Sequence, residues 1–366
     1  MVQSPIGPST FDLQANACGF HDQWAANAYA PALQHAAIPG PTVDAYGNPL
    51  GDLEVTVMDT TVLEPYLITP EVNEDGTVYT FNIDPNARFN DGTPITAADV
   101  KASFDRAAAI GSCGQYFWIA GQYDNIPELE IVNDKTLVLD FGRPEAALMP
   151  GWATTPVVVY SQASIAANPQ EEGSVINEFF ASNIGGGGGP YVVESYEPNL
   201  RMELTANPNF FGDPPYEDKV IINWVDDPSA LFLQAANGDA DVTYEITPEQ
   251  VAELEGNDNV RVVLVPAFQH WNINLVQSNP PMDNVKLREA LVRATPYEEI
   301  IKEVAGGFGT NYYGPLAQNL AHFNRELSAP IPFDLNAAAA ALAESGLSIP
   351  VELELVVQEG SGVPER

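Results

Sequence analysis

Polar and apolar positions alternate along the chain in short runs. Val78 to Ile83 repeats with period two behind the turn Asn73-Glu74-Asp75-Gly76, the pattern of a half-buried strand. Asp91-Gly92-Thr93-Pro94 predicts a further turn. Behind it Thr96 and Asp99 are placed as N-cap and third residue of a helix whose Val100, Phe104 and Ala107 share one face. Ile131 and Thr136 to Phe141 predict a hairpin about Asn133-Asp134. The first forty residues end in Ala36-Ala37-Ile38-Pro39-Gly40-Pro41, the composition of a connector.

The run Gly185 to Gly189 followed by Pro190 is the clearest break, and beyond it strand and helix patterns take turns. Strands are predicted at Tyr191–Ser195, Arg201–Leu204, Lys219–Val225, Asp241–Ile246, Arg261–Val265, Trp271–Val276 and Val351–Val357. Asp227 with Pro228 opens a helix that Gly238 ends, and Thr247-Pro248-Glu249-Gln250 is a capping box. Further helices are predicted at Val285–Arg293, Tyr297–Val304 and Leu335–Glu344. Strand and helix in turn imply an α/β protein with a mostly parallel sheet.

Charge narrows the partners. The 366 residues hold 50 Asp+Glu against 14 Lys+Arg, a formal net charge of -36. Nucleic acid and anionic lipid need a basic face to neutralise phosphate, and the lysines here are scattered. Such a solvated acidic surface suits salty, extracytoplasmic surroundings, where screening relieves self-repulsion. No apolar run approaches a membrane span of roughly 18–20 residues. The residues after Met1 do not form an export signal, so a signal, if the protein is exported, has been removed. Cys18 and Cys113 are the only cysteines, and they leave two readings open, one disulfide or two buried thiols.

Most catalytic motifs are missing. There is no GxSxG stretch, and His21, His35, His270 and His322 lack the spacing of a zinc protease, so neither metal nor cofactor is expected. Asp84 to Arg88 begins like a calcium loop, but Arg88 stands where an oxygen ligand is needed. The glycine run lacks the Lys-Ser/Thr and following helix of a phosphate loop. It is therefore a hinge or cleft wall, or else a surface linker. Phe117-Trp118, Trp152 and Phe268-Gln269-His270-Trp271 sit at predicted element ends, where clefts form; the other reading of each tryptophan is core. A carboxylate pair for hydrolysis also stays open, because sequence hides the separation that defines it.

Several blocks resemble one family. Ala87-Arg88-Phe89-Asn90-Asp91-Gly92-Thr93-Pro94-Ile95-Thr96-Ala97-Ala98-Asp99-Val100 is similar to a signature of the family 5 extracellular solute-binding proteins, the oligopeptide, dipeptide and nickel receptors of ABC importers. The order of later blocks agrees: Gly189-Pro190-Tyr191, Asn207 to Gly212, Asn237 to Val242, and Pro281 to Leu291. Ser9-Thr10-Phe11-Asp12 stands where relatives have the segment after their first strand.

The resemblance implies an α/β, two-lobed type II periplasmic binding protein fold with an extra subdomain inserted in lobe I, closing on its ligand by hinge motion. By position, residues 1–34 start lobe I, 35–183 form the insert, 184–264 return to lobe I, and 265–366 give part of lobe II. Relatives continue further and begin with a strand and an export signal that this sequence does not show, so lobe II is expected to be incomplete, in a fragment or a shortened member. The cleft is expected to be lined by Asn16, Cys18 and Gly19; by Phe117, Trp118 and Trp152; by Gly187 and Gly188; and by Phe268, Gln269, His270 and Trp271. Cys18 and Cys113 fall in two segments that the family places near the cleft, which implies a disulfide between them. The implied role is a monomeric receptor, not an enzyme, that captures a peptide or similar small solute for an ABC transporter permease outside the membrane, with a lipid anchor not in this sequence. A secreted hydrolase is the alternative.

Overall fold

The computed structural model describes residues 2–3, 7–8, 10–15, 23–40, 56–112, 118, 127–154, 157–244, 246–254, 257–264, 272–314, 316 and 323–356. The chain divides into two compact units, one drawn from Met1–Pro41 and Glu54–Ile246, the other carrying Thr247–Arg366.

In the first unit, β1 (Val2–Gln3), α1 (Gln23–Ala28), β2 (Leu33–Pro39) and β3 (Thr56–Pro65) come first. Then follow β4 (Ile68–Val72), β5 (Val78–Ile83), α2 (Ala97–Ile110), β6 (Leu129–Asn133), β7 (Thr136–Asp140), α3 (Leu148–Trp152), α4 (Gln162–Ala167) and α5 (Glu178–Ser182). The unit ends with β8 (Tyr191–Glu197), β9 (Arg201–Ala206), β10 (Lys219–Trp224) and α6 (Pro228–Asn237).

One sheet has the order β4-β5-β7-β6, with every pair antiparallel. Tyr79, Phe81 and Ile83 of β5 are buried between half-buried neighbours, as the period of two requires. The apolar stripe of α2 and Leu137 and Leu139 of β7 belong to the same core. The α2 helix starts at its expected cap: the Asp99 carboxylate accepts the Thr96 N–H at 2.8 Å and the Thr96 hydroxyl at 2.6 Å. Gly111, in the left-handed region, ends it.

A second sheet has the order β1-β10-β9-β8 and a separate core that includes Trp24, Tyr29, Tyr160, Phe180 and Trp224. Only β1 and β10 run parallel among the described strands, so the expectation of a mostly parallel sheet is corrected. In the hairpins the reason is connection length: β8 and β9 are joined by residues 198–200 and β6 and β7 by 134–135, and a parallel pair needs a crossover of about a dozen residues or more. The short β1 supplies a first strand where none was expected. The expected connector at Ala36–Pro41 is largely β2, paired with β3. Pro39 is tolerated there because β2, paired with β3 in a two-stranded sheet, is an edge strand among the described residues.

The second unit is helical where described: α7 (Pro248–Leu254), α8 (Val285–Ala294), α9 (Tyr297–Glu303) and α10 (Leu335–Glu344). Asn284 caps α8 and also donates to the Ser345 carbonyl at 2.9 Å, fixing α8 against the end of α10. Within the stretches predicted as strands at 241–246, 261–265, 271–276 and 351–357, the described residues form none. Alternation marks a two-sided segment, but a strand exists only where a partner accepts its hydrogen bonds.

Candidate functional site

The signature loop is built from side chains that answer their own backbone. Asp84 accepts the Asn86 N–H at 2.7 Å, and Asp91 accepts the Thr93 N–H at 2.8 Å and its hydroxyl at 2.6 Å. Those two bonds from Thr93, the side-chain one foremost, hold the Asp91 carboxyl below its ordinary pKa. Lys135, from the β6–β7 turn, donates to the carbonyls of Asp84 and Ile95 at 3.0 and 2.7 Å, and partial burial lowers its pKa.

Three separated motifs meet at Asn90. Its N–H donates to the Gly186 carbonyl at 3.0 Å, and its side-chain oxygen accepts the Gly188 N–H at 2.9 Å. Asn207 donates to that same oxygen at 3.2 Å and to the Gly189 carbonyl at 2.8 Å, while Asn209 donates to the Asn90 carbonyl at 3.0 Å. On the far side of the loop, Gly189 donates to Ala28 and Ser161 donates to Gly185. The glycine run is thus clamped on both sides, and the surface-linker reading falls. A Cβ at Gly187, where φ is 72°, would stand 2.3 Å from the Asn90 amide nitrogen, and one at Gly189 would stand 2.4 Å from the Asn27 carbonyl oxygen. Close approach to the protein's own backbone and side chains therefore demands glycine at these positions.

Beside this clamp lies an open hollow of about 700 Å³, bordered among others by Pro8, Phe11, Asn90, Ile184, Tyr196 and Asn199. Its described lining has no lysine, arginine or histidine and mixes amides and apolar side chains with one carboxylate, Glu194.

The other expected cleft residues divide in two. Trp118 and Trp152 are fully buried: the Trp152 indole N–H donates to the Trp118 carbonyl at 3.1 Å, and its ring stacks on Phe81 with centroids 4.2 Å apart. The structure places both in the core of the first sheet, where Trp152 packs on Phe81 of β5 and Trp118 on Phe104 of α2, and not on an open wall. Asn16, Cys18, Gly19, Cys113, Phe117, Phe268, Gln269, His270 and Trp271 lie outside the described residues. Asn90 and Asn207 were visible only as members of longer motifs; no local signal distinguishes an amide that joins distant loops. Among the described residues no cluster of His, Cys, Asp or Glu could hold a metal ion, and no helix is long and apolar enough to cross a membrane.

The structure superposes on DppA from Helicobacter pylori in complex with the peptide STSA, with a TM-score of 0.71 at 19 % identity, covering 94 % of this chain and 65 % of that one. With NikA from Brucella suis in complex with Fe(III)-EDTA the TM-score is 0.72 at 17 % identity, covering 100 % and 67 %. In sequence the chain is 24 % identical over 253 residues to the probable D,D-dipeptide-binding periplasmic protein DdpA of Escherichia coli K12, 68 % of this chain and 47 % of that protein. Residues 62–363 match the middle part of the bacterial extracellular solute-binding proteins, family 5, and the chain belongs to that family. Its fold is the two-lobed type II fold of those proteins. The chain spans about half the length of the curated relatives it matches.

Proposed function

We propose that this chain acts as an extracytoplasmic receptor that captures a small peptide or similar solute and passes it to the permease of an ABC importer. The observation that carries the reading is the family match across residues 62–363. The relatives and structural neighbours are binding proteins of transporters, and nothing in them supports the hydrolase alternative. The receptor works as a monomer held at the outer face of the membrane by a lipid anchor, and makes no covalent change to its ligand.

In this reading Asn16, Cys18, Gly19, Phe117 and the segment Phe268–Trp271 contact the ligand, with the backbone of Gly187 and Gly188 forming part of the wall. Backbone groups and water pair the ligand's polar atoms while aromatic rings cover its apolar parts, a mode that tolerates varied side chains. The neighbours' ligands, a peptide in one and a chelated iron in another, define the panel to try.

Isothermal calorimetry of the protein against dipeptides, the tetrapeptide Ser-Thr-Ser-Ala, nickel and iron chelates and sugars is expected to show saturable binding of one class. Native mass spectrometry of the freshly purified protein checks for a carried-over ligand. A well-folded protein that binds none of them and carries none overturns the reading.

A further inference from the structure

We infer that Arg106 is a positioning residue, a buried fork that sets the course of the segment Asp12–Ala15, from which the chain runs into Asn16, Cys18 and Gly19. The role for ligand binding rests on the function proposed above; the placement of the segment rests on the structure alone.

Arg106 lies on α2 and Asp12 on the N-terminal segment, and they are 6 % and 1 % exposed. One terminal nitrogen of the guanidinium donates to Asp12 Oδ1 at 3.0 Å and to Gln14 Oε1 at 2.9 Å. The other donates to Asp12 Oδ2 and, at 3.4 Å, to Gln170 Oε1. The guanidinium carbon sits 4.3 Å from the centre of the Phe180 ring and 5.3 Å from that of Tyr160, so two aromatic faces hold it in place.

The rest of the segment is committed to the same neighbours. The Leu13 N–H donates to the Tyr160 hydroxyl at 3.1 Å, and that hydroxyl donates to Asp12 Oδ1 at 3.4 Å. Gln14 donates to the Ser103 carbonyl at 3.0 Å, one turn before Arg106 on α2. Just past the end of α2, the Ser112 hydroxyl donates to the Ala15 carbonyl. Four consecutive residues are thus fastened at separate points to α2, its end and Tyr160. The same helix begins at the signature loop, whose Asn90 holds the glycine run. One rigid strut therefore carries both the glycine loop and the approach to Asn16.

The chemistry favours positioning over stabilisation. Desolvating two charges offsets most of their attraction, so a buried pair contributes little stability beyond what apolar packing would give. A planar fork with acceptors on both Asp12 and Gln14 nevertheless admits one arrangement of the segment, and an ammonium cannot reproduce it.

Arg106→Lys and Asp12→Asn are compared with Leu137→Ala, which opens a cavity in the core that the apolar stripe of α2 also enters but removes none of these hydrogen bonds. All three are measured well below their unfolding transitions, with whichever member of the ligand panel the unaltered protein binds. Losing hydrogen bonds to a buried charge and, with them, the segment's orientation is expected to weaken binding by about tenfold or more in the first two variants. Leu137→Ala is expected to leave affinity within about twofold, because its cavity relaxes locally. Hydrogen exchange over residues 12–15 is expected to quicken in the first two and not in the third. Equal affinity losses in all three variants, or unchanged exchange in the Arg106 and Asp12 variants, overturns the inference. If the unaltered protein binds nothing, the proposed function falls, and exchange alone then decides whether Arg106 positions the segment.

Discussion

Asn90 shows how much one side chain can organise. Its amide and backbone link the signature loop to the glycine run and to Asn207 and Asn209, residues far apart in the chain. The glycines of that run do different work from those in ordinary turns. Gly142 has a φ of 63° and open space where a Cβ would stand, so Gly142→Ala is expected to cost only the left-handed backbone penalty, about 1 kcal/mol. Gly187→Ala meets that penalty and also drives a methyl group into Asn90, whose hydrogen bonds stop it from yielding. The expected cost is about 2 kcal/mol or more. Chemical denaturation of the two variants checks the order; equal costs would mean that the clamp gives way freely.

At the level of elements, α2 is the piece whose start, face and end follow from local rules, and it is also the piece that carries the most. Asp99 does more than cap it. One carboxylate oxygen takes the Thr96 N–H and hydroxyl while the other takes the Gln162 N–H at 2.8 Å, tying the helix start to α4. Thr96→Ala removes one donor and is expected to cost about 1 kcal/mol. Asp99→Ala leaves two backbone N–H groups without their acceptor and is expected to cost about 2–3 kcal/mol. Urea denaturation that ranked Thr96→Ala as the more damaging change would contradict this assignment. The failures of prediction at this scale have a common cause. Residues 261–264 and 351–356 alternate like β5, yet β5 is a strand because β4 and β7 flank it, and no run of residues announces its partner.

For the molecule as a whole, a net charge of -36 means that self-repulsion is a standing cost, relieved by counterions more than by ion pairs. Screening shortens from about 10 Å at 0.1 M salt to about 3 Å at 1 M. The unfolding temperature is therefore expected to rise by several degrees between 0.05 and 1 M sodium chloride; a flat or falling temperature in differential scanning calorimetry would show the charges to be neutralised within the fold. Local order, caps, hairpins and the signature block were determined by the sequence alone, because each depends on residues within a few positions of one another. Tertiary structure alone decided that the sheets are largely antiparallel, that Trp118 and Trp152 are core, that the glycine run is clamped by Asn90, and that Arg106 reaches Asp12 across more than ninety residues. The physical reason is the same in each case: burial, pairing and the fork of a guanidinium are relations between distant segments, and they come into being only when the chain has closed on itself.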